Sequence, residues 1–295
     1  MAADKPRKII IILNIIKSLK EFLMIKIIVL TDPHICEENQ TIIGLNPSLQ
    51  LKKALKHIKK FHSDANRLVV TGDLTHAGTK NQYSIFKNII EGINIPITLL
   101  LGNHDNRENF RKVFSDYPLD SNGFVQSKEA IYKNKLIFLD TLAAPPYKNG
   151  QHFGEICKKR LEWIHHEMRL IKNEQIIVFM HHPPFKVGFP GMDEIKLKDS
   201  DQFMNLVKAF PNISHLVCGH IHRTISGNIQ GKSFSIFKST CHQMPMHQTS
   251  NKSSLSVAEP PAYGMLLINN TDIVAHSIDY ELSDLKTLGS EATQN

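Results

Sequence analysis

The chain has 295 residues, of which 41% are hydrophobic and 21% charged, so it can bury a sizeable core and is not an intrinsically disordered segment. A formal charge of +7 favours anionic partners, from phosphorylated small molecules to nucleic acid, although the basic residues form no long run. The four cysteines, Cys36, Cys157, Cys218 and Cys241, are dispersed and include no CxxC pair, which argues against a disulfide framework and for a reducing, cytoplasmic setting.

The amino end, KPRKIIIILNII, has a basic start and an apolar run broken by Asn14, too short to cross a bilayer and without a small-residue cleavage site after it. Met24 stands directly before IKIIVLTD, which reads as a first strand. Residues 1–23 are therefore expected to be a dispensable extension, and residues 24–281 the folded domain. Apolar, β-branched runs of strand length follow: RLVV, ITLLL, KLIFL, QIIVFM, HLVC, FSIF and GMLLI. Most lack polar alternation, the pattern of strands covered on both faces. Helical periodicity appears between them. Leu51, Ala54, Leu55 and Ile58 form one apolar stripe, Ile164, Met168 and Ile171 a second, and Phe203, Leu206, Val207 and Phe210 a third. Strands alternating with helices predict an α/β architecture. The stretch 243–261, rich in serine and proline, reads as a long loop and a candidate cap; AYGMLLINN and DIVAHSIDY read as two more strands, and 282–295 as a flexible tail.

Polar residues stand where these strands end: Asp32 and His34 in TDPH, Asp73 in TGD, Asn103 and His104 in LGNHD, His181 in MHHPP, and His220 and His222 in CGHIH. Carboxylate, imidazole and amide oxygen without thiolate form a borderline-to-hard ligand set, suited to Mn, Fe, Zn or Co. In an extended D-x-H or H-x-H both side chains point to the same side, so one loop can present two groups to one ion. A glycine precedes Asp73, Asn103 and His220, where the backbone must turn sharply.

In this order the motifs D-x-H, GD, GNHD, a strand-end His and GH-x-H resemble those of the calcineurin-like binuclear metallophosphoesterases, from about Lys26 to the strand near Ile278. Each motif is weak alone; five in order, each after an apolar strand, are specific. TDPH, GNHDNR, FMHHPPF, GMD and STCHQMP make the chain most similar to bacterial class III cyclic nucleotide phosphodiesterases and related glycerophosphodiesterases. The resemblance implies a four-layer α/β/β/α sandwich of two mixed sheets flanked by helices. It implies two transition-metal ions, the first on Asp32, His34 and His222, the second on Asn103, His181 and His220, with Asp73 bridging. It further implies in-line attack on phosphorus by a hydroxide held between the ions. His104 would serve the leaving oxygen as acid or charge stabiliser, and Asp105 would orient the His104 ring. Asn103, His104 and His76 are the candidate substrate contacts. The implied substrate is a 3′,5′- or 2′,3′-cyclic nucleotide, with a glycerophosphodiester as the alternative. A homodimer through the C-terminal strands and the 243–261 loop is also implied.

Departures narrow the branch. Purple acid phosphatases carry a tyrosine where His76 stands, and protein Ser/Thr phosphatases carry GNHE and an Arg-Gly where this chain has GNHD and THAG. Nucleases share the motif set, but no basic stripe with interleaved aromatics marks a nucleic-acid groove, so nucleic acid is not the expected partner. A decayed, non-catalytic scaffold would have lost ligands, and here every ligand position is filled. His182 is expected to pack away from His181, Cys36 to act as a small buried hydrophobe, and His165 and His166 to face solvent from a helix. Cys241 and His242 either border the pocket or belong to a structural loop. Arg107 and His76 either reach substrate or face solvent.

Overall fold

The computed structural model describes residues 24–145, 151–269 and 272–282, so the expected extension 1–23 and residues 283–295 of the expected tail lie outside it. The chain runs β1 (Ile25–Leu30), α1 (Pro47–Phe61), β2 (Arg67–Val70), α2 (Lys80–Ile90), β3 (Ile97–Leu99), α3 (Arg107–Val113), β4 (Ser127–Ile131) and β5 (Asn134–Phe138). It continues through α4 (Lys158–Leu170), β6 (Gln175–Met180), α5 (Pro190–Asp193), α6 (Ser200–Ala209), β7 (Ile213–Cys218), β8 (Ile225–Ile229), β9 (Lys232–Ile236), β10 (Tyr263–Ile268) and β11 (Ile273–Ile278). Leu282 closes a 3-10 turn that begins at Tyr280, a residue buried under hydroxyl contacts to the Gln50 and Thr240 carbonyls. Leu282, which the composition placed in the tail, belongs to this turn.

Strand side chains alternate between faces, and here both faces are apolar. Ile28 and Leu30 of β1, with Leu68 and Val70 of β2, pack under α1, α2 and α3 against Leu51, Ile58, Tyr83, Phe86 and Phe110. Ile27, Val29 and Val69 point the other way and meet Leu136, Phe138, Ile177, Phe179 and Val217 of the second sheet. The opposite face of that sheet, through Ile137, Val178, Met180 and Leu216, packs on Ile164 and Met168 of α4 and Phe203 and Val207 of α6. Helix, sheet, sheet and helix thus stack in four layers, as the motif resemblance implied.

The first sheet has the order β11-β10-β1-β2-β3, with β1, β2 and β3 parallel and β10 and β11 antiparallel. The second has the order β4-β5-β6-β7-β9-β8, parallel from β5 to β9, with antiparallel strands at both edges. Parallel strands share a direction, so their carboxyl ends line one rim. Asn46, Thr79 and Asn106 cap α1, α2 and α3 by accepting from the backbone N–H three residues on. Asn106 thereby ends the GNHD loop and starts α3. Among the described residues no helix is long and apolar enough to cross a membrane.

Candidate metal centre

The loops that leave β1 and β2 run side by side. Asp32 N donates to the Gly72 carbonyl at 3.2 Å and His34 N to the Asp73 carbonyl at 2.9 Å. These two loops and the one after β7 turn left-handed at the residues that matter: φ is 50° at Asp32, 47° at His34, 47° at Asp73, 73° at His220 and 51° at His222. Such backbones are uncommon outside glycine and cost about 1 kcal/mol or more each, and they concentrate where function fixes a side chain. The D-x-H and H-x-H pairs are therefore not extended as the spacing argument assumed; the turn, not strand alternation, brings each pair together. Gly72 has φ 109°, and a Cβ there would lie 2.6 Å from His181 Nδ1. A Cβ on Gly102 would collide with the Asp73 carboxylate. Both glycines let the backbone approach the site closely.

Asp73 sits at the centre. Its Oδ2 lies 3.5 Å from His34 Nε2 and 3.5 Å from His181 Nε2, and its Oδ1 accepts from His104 N at 2.8 Å. On one side His222 Nε2 is 3.2 Å from Asp32 Oδ1 and 3.1 Å from His34 Nε2, and the donor atoms of Asp32, His34, Asp73 and His222 all fall within 4.8 Å of one another. On the other, His181 Nε2 is 3.2 Å from Asn103 Oδ1, and the His181 and His220 rings are 5.1 Å apart. Backbone carbonyls orient the rings: His181 Nδ1 donates to Thr71 O at 2.9 Å, His222 Nδ1 to His242 O at 2.9 Å, and His220 Nε2 to Ile195 O at 3.1 Å. Each ring thus keeps its other nitrogen for the centre.

The donor set fits metal ions. Asp32 and Asp73 are buried at 0% and 1% exposure, and the charged groups that meet them are imidazoles; among the described residues no lysine or arginine is a hydrogen-bond or ion-pair partner of either. Burial alone would raise both carboxyl pKa values. His222 and His181 offset it at Asp32, and His181 and His104 at Asp73, so both acids are held below the ordinary carboxylate value. Burial pushes His34 well down and His220 to about 3, which leaves neutral rings with lone pairs. His181 is raised to about 9 because, against its burial, Asp73 and Asp32 attract a proton. The two carboxylates thus favour positive charge at this point, the role cations take when bound.

The rest of the expected site is distributed differently. His104 Nδ1 donates to the His76 carbonyl at 2.8 Å, and the rings of His76, His104 and His152 stack in series at 5.2 and 5.4 Å. All three line a cavity of about 230 Å³ over the centre, so His76 is exposed and also faces the pocket. Asp105 does not orient the His104 ring. Its carboxylate accepts from Leu74 N, Thr75 N and Gly102 N at 3.1, 3.2 and 2.9 Å, and from the Tyr83 hydroxyl at 2.9 Å. It ties the GNHD loop to the loop after Asp73. Burial, then the charge of Asp73, raises its pKa to about 6.

Arg107 is neither solvated nor a phosphate contact. Its Nε and Nη2 meet the two oxygens of Asp140 at 2.7 and 2.8 Å, with Arg107 9% and Asp140 0% exposed. Burial would raise the Asp140 pKa, and Arg107 with Arg160 holds it below the ordinary carboxylate value. Arg107→Ala leaves a buried, half-compensated charge and is expected to destabilise by about 3–5 kcal/mol, read as a lowered urea midpoint. Because the folded pKa is depressed, the stabilisation is full above the ordinary carboxylate pKa and fades as pH falls through the folded value. An Arg107→Ala midpoint equal to wild type would refute this role.

His182 is fully buried, and its ring lies 4.7 Å from that of His181, nearer than alternation indicated, because it stands past the end of β6. Its Nδ1 is 2.8 Å from Thr141 Oγ1. His242 lines the cavity beside His34 and His222, whereas Cys241 and Cys36 are buried small residues. His165 and His166 face solvent from α4. His152, 3.0 Å from Asn103 Nδ2 through Nδ1, escaped the sequence reading because no apolar strand precedes it.

A family model of the calcineurin-like phosphoesterases matches residues 25–224, the span that holds all seven candidate ligands. The chain belongs to this family. A probable cyclic nucleotide phosphodiesterase of Rhodopseudomonas palustris is 33% identical over 86% of this chain and 92% of its own. The 3′,5′-cyclic adenosine monophosphate phosphodiesterase of Escherichia coli is 24% identical over 76% of this chain and 78% of its own. A probable glycerophosphodiester phosphodiesterase of Arcobacter nitrofigilis is 26% identical over 72% of this chain and 77% of its own. Among solved structures, a dimetal phosphatase from Danio rerio superposes with a TM-score of 0.66 at 10% identity, over 87% of this chain and 96% of that one, and shares the calcineurin-like fold.

Proposed function

We propose that this phosphoesterase hydrolyses a cyclic nucleotide, with two first-row ions (Mn, Fe, Zn or Co) held by Asp32, His34 and His222 and by Asn103, His181 and His220, and with Asp73 shared between them. The observation that carries the diester reading is the cavity lining. Imidazoles line the cavity together with the apolar side chains of Met192, Ile195, Met244 and Leu255, and among the described residues no lysine or arginine lines it. A phosphomonoester dianion is ordinarily matched by such cations, whereas a diester carries one charge and two organic groups. The relative at 33% identity, named a probable cyclic nucleotide phosphodiesterase, supports the same choice.

Bound in this donor set, two ions would supply Lewis acidity toward phosphoryl oxygens and bring the pKa of water near neutrality. The chain supplies position and protons. The backbone N–H of His104 fixes the Asp73 carboxylate, and the Thr71, Ile195 and His242 carbonyls fix three imidazoles before substrate arrives. With Nδ1 of His104 engaged by the His76 carbonyl, Nε2 is its group for the pocket, where it protonates the departing alkoxide. Asn103 offers its oxygen toward His181 and its nitrogen toward His152.

Chelator-stripped protein refilled with Mn²⁺ is expected to turn over 3′,5′-cAMP or 2′,3′-cAMP faster than a glycerophosphodiester, an aryl monoester or single-stranded DNA, and Asn103→Ala to lose that turnover. Turnover confined to the monoester or DNA would contradict the substrate assignment. A glycerophosphodiester is the second reading, favoured by the Arcobacter relative at 26% identity. A cytoplasmic setting and a homodimer through β10, β11 and the 243–261 loop complete the proposal. A monomeric mass in solution would contradict the dimer.

A further inference from the structure

The 243–261 segment does not stand off as a free loop. Its base is closed by a two-way backbone pair between Gln243 and Val257, at 3.0 and 2.8 Å. Arg223 clamps it by bonding the Met244 carbonyl and the Glu259 carboxylate, and Met244 N donates to the His222 carbonyl at 3.3 Å. Its far side lies directly on α5: a Cβ on Gly191 would sit 2.5 Å from the Lys252 carbonyl carbon and 2.7 Å from Ser253 N. Held at both ends, the segment contributes Ser253, Ser254, Leu255 and Ser256 to the lining of the same cavity that His76, His104 and His152 line. Met192 and Met244, 4% and 5% exposed, line the same cavity.

From this placement, and resting on the phosphodiester reading, we propose that Leu255, with Met192 and Met244, is the recognition wall for the organic part of the substrate. It takes a planar, weakly polar group such as a nucleobase, and the neighbouring serines satisfy that group's edge. The phosphoryl group lies on the imidazole side, so a diester crossing the cavity must set one of its substituents against Leu255. Thioether and isobutyl side chains present apolar, adaptable surface to a flat ring. A serine hydroxyl both donates and accepts, so it meets the edge of adenine or guanine equally well and does not read which is present. A small polar substituent such as glycerol gains nothing from this surface. The wall is also fixed before binding, which lowers the ordering cost of a substrate that uses it.

Leu255→Ser is the test, because Leu255 is half-buried and, unlike Met244 and Met192, is not adjacent to groups that fix His222 or His220. The probes are 3′,5′-cAMP, the planar bis(4-nitrophenyl) phosphate and glycerophosphoethanolamine. Loss of the apolar contact is expected to raise KM about ten-fold for cAMP and the aryl diester, with kcat and the glycero substrate within about two-fold of wild type. Wild-type kcat/KM values for cAMP and cGMP are expected to agree within about ten-fold. A fraction of misfolded variant would lower kcat for all substrates and leave KM unmoved, so the split separates recognition from folding. Unchanged KM for both planar diesters, or an equal rise for all three probes, would overturn the proposal. If wild type hydrolyses the aryl diester but no cyclic nucleotide, the cyclic-nucleotide reading fails while the aryl and glycero pair still decides the wall. If it hydrolyses no diester, both fall.

Discussion

Replacing Asp73 by asparagine is expected to lower kcat/KM for every diester by about 10³-fold or more, the order lost when preorganised charge at a reacting centre is removed. Asparagine keeps the shape of aspartate and an oxygen for the His104 N–H, so the loop that Asp73 fixes can stay in place. What goes is the one negative charge equidistant, at 3.5 Å, from His34 and His181, the residues that lead the two halves of the donor set. On the proposed assignment, Asp32 would then remain for the first ion and the second would have no carboxylate. Initial rates in Mn²⁺, compared with thermal unfolding of the stripped proteins, separate this loss from misfolding. A variant within ten-fold of wild type would mean that Asp73 is not the shared ligand.

His104→Ala is expected to cut kcat for a cyclic nucleotide by about 10²–10⁴-fold, the range for a well-placed general acid. The effect should depend on the leaving group. A sugar alkoxide leaves only with a proton, whereas 4-nitrophenolate leaves without one, so the loss with bis(4-nitrophenyl) phosphate should be far smaller. The His104 side chain hydrogen-bonds the His76 carbonyl and meets the His34 ring only edge-on, at 4.7 Å, without engaging its nitrogens, so metal content should stay close to the wild-type level. Equal losses with both substrates would assign His104 to charge stabilisation or to placing Asn103 rather than to proton transfer.

The sequence made most of this arrangement readable because five of its apolar strand runs lead directly into a candidate site residue. β4 and β8 went unread for a physical reason: they are edge strands with exposed, polar residues such as Lys128, Ser226 and Asn228, and carry no continuous apolar run. That Asp32 and His34 share one site was legible, but the reason for their convergence was not. Alternation describes an extended chain, and these residues sit in left-handed turns that no period reveals. Asp105 shows a further limit. Its acceptors are spent on backbone groups of Leu74, Thr75 and Gly102, contacts that arise only when two strand-end loops lie together. The Arg107–Asp140 pair spans 33 residues, and the approach of His152 to Asn103 spans 49. Neither could be inferred from local pattern.

The most direct test of the central claim is the number of ions the chain holds. Protein stripped by chelator, equilibrated with Mn²⁺ and freed of excess metal by gel filtration should carry two ions per chain by elemental analysis. Asp73→Asn should carry fewer under the same conditions. A wild-type value of one or none, with the protein folded, would contradict the assignment of these seven residues to a binuclear centre.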